Sequence, residues 1–60
     1  MKYTVKEING KYNANRIYAN YEDAAQAAWL DNMSNNRATY AVYEVINLNG
    51  REALRKVRNH

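Results

Sequence analysis

The residue types that usually carry catalysis are scarce in this chain and poorly placed. The chain has no cysteine, a single histidine at its last position, His60, and a single serine, Ser34. Glu22 and Asp23 are adjacent in a segment of helical character, so their carboxylates diverge and do not form an acid–base pair. No glycine-rich phosphate loop is present. The sequence therefore predicts a protein that is not an enzyme and that holds no metal or other cofactor.

Tyrosine, arginine and lysine are the side chains that remain, and their chemistry is that of binding. The chain has six tyrosines and a net charge of +3. Residues 1–20 and 37–60 are basic, whereas residues 21–36 carry three carboxylates and no cation. Tyr and Arg are enriched at protein interfaces. The residues expected to bind a partner are Tyr12, Arg16, Tyr40, Arg51, Arg55, Lys56 and Arg58.

Length and composition limit where such a protein acts. Sixty residues make a single domain, 1–60. No apolar run is long enough to span a membrane, and "MKYTVKEING" lacks the apolar core of a secretory signal. The absence of cysteine agrees with a reducing compartment. We therefore expect a cytoplasmic protein that does not bind a membrane.

The first element predicted to position the binding residues is a hairpin. In "VKEINGKY", Asn9-Gly10 follows a run of β-formers, and Asn-Gly favours the type I′ turn that matches the twist of two strands. The second strand of this hairpin would run over residues 11–19. The expected cross-strand pairs are Ile8–Lys11, Val5–Ala14 and Tyr3–Arg16.

A second Asn-Gly dipeptide, Asn49-Gly50, predicts a hairpin within "RATYAVYEVINLNGREAL". Glu44 would face Arg55, and opposite charges directly across two strands favour this register by a few tenths of a kcal/mol. The other expected pairs are Leu48–Arg51, Ile46–Ala53, Val45–Leu54 and Val42–Val57. The alternative for residues 51–57 is a short helix, because Glu, Ala, Leu, Arg and Lys all favour helix.

Between the two hairpins, "NYEDAAQAAWLDNM" has the character of a helix. Asn20 is a suitable N-cap, and Asp23 is placed to complete a capping box. Trp29 is expected to be the main core residue, and Leu30 falls off the apolar stripe. "NMSNN", at residues 32–36, predicts the exit from the helix. The stripe expected to pack on the sheet consists of Tyr21, Ala24, Ala25, Ala28, Trp29 and Met33.

Together these elements predict an α+β fold of ββαββ order, a four-stranded antiparallel sheet with one helix on one face. The other face of the sheet would expose tyrosines, aliphatic residues and cations. We expect this face to bind a partner with an acidic surface; the alternative is the scattered apolar exposure common in small proteins. Direct binding of nucleic acid is a second possibility, because tyrosines stack on bases, although they are also common in strands. The strand edges or the sheet face would also allow a homodimer.

The layout resembles that of small phage-encoded proteins that block host machinery, including anti-CRISPR proteins. The segments that carry the resemblance are "MKYTVKEINGK", "IYANYEDAAQAA" and "ATYAVYEVINLNG", which cover most of the chain. The resemblance implies a non-catalytic inhibitor that occupies a surface of a host defence or transcription complex, either a protein or a nucleoprotein. It transfers no functional residue, because such proteins share no common site.

Overall fold

The computed structural model describes residues 1–35 and 37–57, which form one helix and three strands. The elements are β1 (Lys2–Glu7), α1 (Tyr21–Ser34), β2 (Tyr40–Leu48) and β3 (Arg51–Lys56). The strands form an antiparallel sheet with β2 in the middle, and α1 packs on β1 and β2. The predicted α+β class is compatible with this β-α-β-β order. The predicted four-stranded ββαββ sheet is wrong, since the described residues contain three strands. The helix that these residues form is not long and apolar enough to cross a membrane.

The second hairpin forms in the predicted register. Asn49 and Gly50 have φ angles of 54° and 82°, as a type I′ turn requires. Glu44 lies opposite Arg55, and the other pairs expected between Val45 and Leu48 and their partners on β3 also form. Residues 51–56 are a strand, so the helical alternative is excluded. Here the local turn signal and the alternation of the flanking strands agree, which makes the register unique.

The first predicted hairpin is wrong. Neither Asn9 nor Gly10 has a positive φ, and the N–H of Gly10 instead donates to the carbonyl of Glu7 at 2.9 Å. The segment predicted as the second strand meets β1 through a single bridge, in which Tyr3 and Tyr18 exchange backbone hydrogen bonds of 2.9 and 2.8 Å. The predicted pairs of this hairpin do not form, because Tyr3 lies opposite Tyr18 rather than Arg16.

Local side-chain hydrogen bonds explain why residues 8–17 do not form a strand. The side-chain oxygen of Asn13 accepts from the N–H of Asn15 at 2.9 Å, and the backbone carbonyl of Asn13 accepts from the N–H of Arg16 at 3.0 Å. Lys6 Nζ donates to three backbone carbonyl oxygens of the turn that follows it, those of residues 7, 8 and 10, at 3.0–3.2 Å. Such bonds give the backbone partners that would otherwise come from a strand ladder.

The helix begins where the sequence predicts. The Asn20 side chain accepts from the N–H of Asp23 at 2.9 Å and donates to its carboxylate at 3.3 Å. Ala24 and Ala28 are buried against Val5 of β1 and Val42 of β2. Since alanine has a short side chain, this contact brings the helix close to the sheet.

The prediction that Trp29 fills the core is wrong, and so is the placement of Met33 on the buried stripe. Trp29 is 61% exposed and Met33 is 64% exposed. Polar contacts of the two residues that follow Leu30 set the rotation of the helix about its own axis. Asp31 binds Arg16, and Asn32 bonds to both backbone groups of Tyr40, at 2.7 and 3.1 Å. These contacts turn Asp31 and Asn32 towards the rest of the fold and carry Trp29 and Met33 away from it.

The sheet face opposite the helix is covered rather than open. Side chains alternate along each strand, and Val5 and Val42 mark the helix side, so Thr4, Tyr43 and Val45 lie on the other side. All three are nevertheless buried. Residues 8–17, here named the covering segment, reach this side at Thr4, whose hydroxyl donates to the Arg16 carbonyl at 2.6 Å, and the Lys6 ammonium lies 4.6 Å from the centre of the Tyr43 ring. The open sheet face expected from the sequence is therefore closed in its centre.

Candidate protein-binding surface

Two of the cations predicted to bind a partner are held by carboxylates of the same chain. The guanidinium of Arg55 pairs with the buried Glu44 carboxylate. Arg16 lies 2.5 Å from Asp31 and donates to the Tyr18 hydroxyl at 3.0 Å. The hydrogen bond to Asp31 is the main cause that raises the pKa of Arg16. Both arginines thus hold parts of the fold together, Arg16 by joining the covering segment to α1.

The two predicted aromatic anchors are both partly buried and lie on different sides of the sheet. Tyr40 packs against the core on the helix side. Tyr12 belongs to the covering segment and lies near Glu52 of β3. Partial burial, and then the neighbouring Glu52 carboxylate, raise the pKa of the Tyr12 phenol. Tyr12 and Tyr40 therefore do not form one aromatic platform.

The remaining predicted residues lie at the far edge of the sheet. Arg51 and Lys56 are exposed at the two ends of β3, and by alternation their side chains leave opposite faces. Arg58 lies outside the described residues. The six described residues of the predicted site are therefore divided between the helix side, the opposite side and the covering segment.

A group of exposed apolar side chains lies together on the outer face of α1, which the sequence prediction missed. Trp29, Leu30 and Met33 are 61%, 49% and 64% exposed. With Gln26, they follow the spacing i, i+3, i+4, i+7, which places them on one side of a helix. This group of four residues is named the helix outer face below. Helices that dock in an apolar groove present anchors at this spacing.

A signal for this surface was present in the sequence. Leu30 does not fit the stripe that contains Ala24 and Ala28, so the apolar residues of the second half of the helix extend around most of its circumference. A helix that is apolar all round is buried on more than one side, or has an exposed side available to a partner. The sequence alone does not say which of Trp29 and Asn32 packs on the sheet.

The charge near the helix outer face is negative. Glu22 and Asp23 are exposed in the first turn, and the last turn carries no basic residue. The third carboxylate of the helix, Asp31, is paired with Arg16. The helix thus presents an acidic beginning followed by an apolar patch.

Other features of the described residues give less support for a binding site. A shallow cleft of about 220 Å³ lies where the end of β1 meets the segment before β2, lined by residues 7–9 and 37–39. Within residues 1–35 and 37–57, no three His, Cys, Asp or Glu side chains converge as metal ligands. The expectations that the protein is not an enzyme and binds no cofactor stay predictions. No protein-family model, no curated protein and no solved structure matches the chain significantly. The functional proposal rests on the exposure of the helix outer face.

Proposed function

We propose that the chain is a non-catalytic binding protein that occupies a surface of a partner protein with its helix outer face. The observation that carries the proposal is the exposure of Trp29, Leu30 and Met33 at helical spacing on a 60-residue protein. Trp is among the residue types most enriched at interface hot spots, and Met adapts to irregular apolar surfaces. This function is of the kind that the resemblance to phage inhibitors of host complexes implies, and the proposed place of action is the cytoplasm.

Burial of these three side chains would supply a large free energy. Each large apolar side chain contributes about 1.5–3 kcal/mol when it passes from water to a buried site. Association costs and the ordering of side chains offset part of this gain. The alanines beneath the patch hold α1 against the sheet, so the helix is already formed before binding, and no ordering of its backbone is required.

The charges around the patch favour a particular kind of partner. Glu22 and Asp23 precede the apolar anchors by one to three turns, and Asp31 is paired with Arg16. An apolar groove with Lys or Arg at the end that receives the first helical turn complements this pattern. The proposed partner thus presents positive charge to the helix, which departs from the acidic partner expected from the sequence.

The single tryptophan makes the proposal directly measurable, because Trp29 alone reports on the patch. The protein is first used as bait in a nuclease-treated host lysate, and each captured protein is then purified and titrated against it. Binding in a groove should shift the Trp29 emission to the blue and protect it from acrylamide quenching. The combined substitution Trp29→Ala, Leu30→Ala and Met33→Ala should abolish capture while changing the melting temperature little, since these side chains lie mostly outside the core.

Leu48→Ala is the matched control. Leu48 is 56% exposed and apolar, but it lies at the end of β2 next to the turn to β3. The Leu48→Ala variant should bind the partner with the same affinity as the wild type. Binding that survives the triple helix variant overturns the proposal. Titration with labelled DNA and RNA examines the nucleic-acid alternative, in which binding falls steeply with salt and is lost in Arg51→Glu/Lys56→Glu.

A further inference from the structure

The outer edge of β3 has three residues whose backbone groups point away from the sheet. Leu48 and Arg51 flank a two-residue turn, so they form a hydrogen-bonded pair, and every second residue of β3 then faces β2. The bond from the N–H of Val57 to the carbonyl of Val42, at 3.0 Å, continues this alternation. The N–H and C=O groups of Glu52, Leu54 and Lys56 therefore point outward. Within residues 1–35 and 37–57, no strand pairs with that edge.

The sequence of this edge is complementary to itself. If two copies of β3 pair antiparallel about a two-fold axis at Leu54, each Leu54 lies opposite the other. Glu52 of one copy then lies opposite Lys56 of the second, and the reverse pair forms as well. All three outward-facing residues find hydrogen-bonding partners in this register. Opposite charges directly across two strands stabilise the pairing.

We propose that β3 pairs with β3 of a second copy in this register, giving a homodimer with a continuous six-stranded antiparallel sheet. A shift of the two-fold axis by one residue places Leu54 opposite Glu52 or opposite Lys56 and removes the charge pairs. The charges therefore select the register centred on Leu54. An isologous two-fold contact of this kind closes on itself and does not propagate into a fibre.

The rest of the fold leaves this edge accessible. The helix packs on β1 and β2 and does not contact β3. The other edge of the sheet, on β1, is partly occupied by the Tyr3–Tyr18 bridge. Because a two-fold axis between antiparallel strands is perpendicular to the sheet, the dimer would present both helix outer faces on the same side. Such a dimer could engage two binding sites at once and gain effective concentration for the second.

Cysteine cross-linking tests the register, since the chain contains no cysteine of its own. Opposite residues in a hydrogen-bonded pair have Cα atoms about 5.5 Å apart, within the range that a disulfide spans. Leu54→Cys should give a disulfide-linked dimer on mild oxidation. Glu52→Cys alone and Lys56→Cys alone should not, because four residues along a strand separate the two copies of each by about 13 Å. A mixture of the Glu52→Cys and Lys56→Cys chains should cross-link.

Charge exchange tests the dimer in the cysteine-free chain, by sedimentation equilibrium. Glu52→Lys and Lys56→Glu should each weaken dimerisation by about tenfold or more, because two attractions become two repulsions. The double variant Glu52→Lys/Lys56→Glu should restore it, and the two single variants should form a heterodimer when mixed. Lys56→Glu is the cleaner single variant, since Glu52 also lies 3.6 Å from Lys2 in the same chain.

Three results would overturn the proposal. The wild type could remain monomeric up to about 1 mM, where even an association of about −4 kcal/mol is visible. Cross-linking could be equally efficient for Leu54→Cys, Glu52→Cys and Lys56→Cys. The dimer could also persist in the charge variants and disappear in the triple alanine variant of the helix, which would place the contact on α1. The first two results leave the binding of a partner by Trp29 untouched, since that binding is measured separately by fluorescence, whereas the third would make a second copy the occupant of the helix outer face.

Discussion

The two Asn-Gly dipeptides of this chain stand in similar sequences and lead to different structures. After Asn49-Gly50 the backbone reverses into a ladder, with both residues at positive φ. After Asn9-Gly10 it turns through a Glu7–Gly10 hydrogen bond, crosses the far face of the sheet and returns to β1 only at Tyr18. One region is held by backbone pairing, and the other is held by side chains that bond to backbone groups.

The difference teaches that a turn signal acts only when the residues after it can continue the strand. "REALRK" follows Gly50 with residues that alternate between the two faces and includes Arg55, which meets Glu44. "KYNANR" follows Gly10 with two asparagines, and Asn13 bonds to its own neighbours. Asparagine is depleted in strands because its amide competes for backbone groups. Variants at four positions examine this comparison, in order of decreasing effect.

The largest effect is expected at the hydrogen bond that fastens the covering segment. Thr4→Val keeps the shape of the side chain but removes the donor to the Arg16 carbonyl, at a site with no solvent access. We expect the free energy of unfolding to fall by about 2 kcal/mol, since the carbonyl loses a buried partner. Urea denaturation measures this change. Thr4→Ser retains the hydroxyl and should lose less. A loss confined to Thr4→Ser would show that the methyl group, and not the hydrogen bond, fastens the segment.

The next largest loss of stability is expected in a comparison of the two turns, where glycine is replaced by alanine. Gly50→Ala should destabilise the protein by about 1 kcal/mol, because alanine resists a φ of +82°. No atom lies within 4 Å of the added Cβ, so the backbone alone causes the loss. At Gly10 the φ is not positive, and the added Cβ would lie 3.0 Å from the Cβ of Glu7.

For Gly10→Ala we expect a change within about 0.5 kcal/mol, because the reduced freedom of the unfolded chain offsets this crowding. The two glycine variants are compared by thermal melts under the same conditions. If Gly10→Ala costs as much as Gly50→Ala, the two turns are equivalent in solution, and the first hairpin would have to be reconsidered.

The smallest effect is expected at the asparagine that diverts the first region. Asn13→Ala removes the bond to the N–H of Asn15, which is exposed and finds water instead. The expected loss is a few tenths of a kcal/mol, below the net value of a typical hydrogen bond. Amide hydrogen exchange should show faster exchange at Asn15 and Arg16, with no change in β3. Faster exchange in β3 as well would indicate that the two regions are coupled.

In the helix, as in the two turns, the features set by neighbouring residues could be predicted and those set by other elements could not. Its start could be read from the sequence, because Asn20, Glu22 and Asp23 act on the first turn within a few residues. Its rotation could not be read in this way, because Trp29 and Asn32 lie about two and three turns along the helix, beyond the reach of the signals at its start. The choice depends on Arg16 and Tyr40, which lie outside the helix and meet Asp31 and Asn32 only after folding.

The sequence by itself determined the α+β class, the N-cap at Asn20, and the second hairpin with its Glu44–Arg55 pair. Each of these depends on residues within about a dozen positions of one another. Tertiary structure alone decided that residues 8–17 cover a sheet face, that Arg16 holds the helix, and that Trp29 faces outward. The physical reason is that alanines at the helix–sheet contact allow a close approach, and the polar contacts of Asp31 and Asn32 then fix the side that the helix presents to solvent.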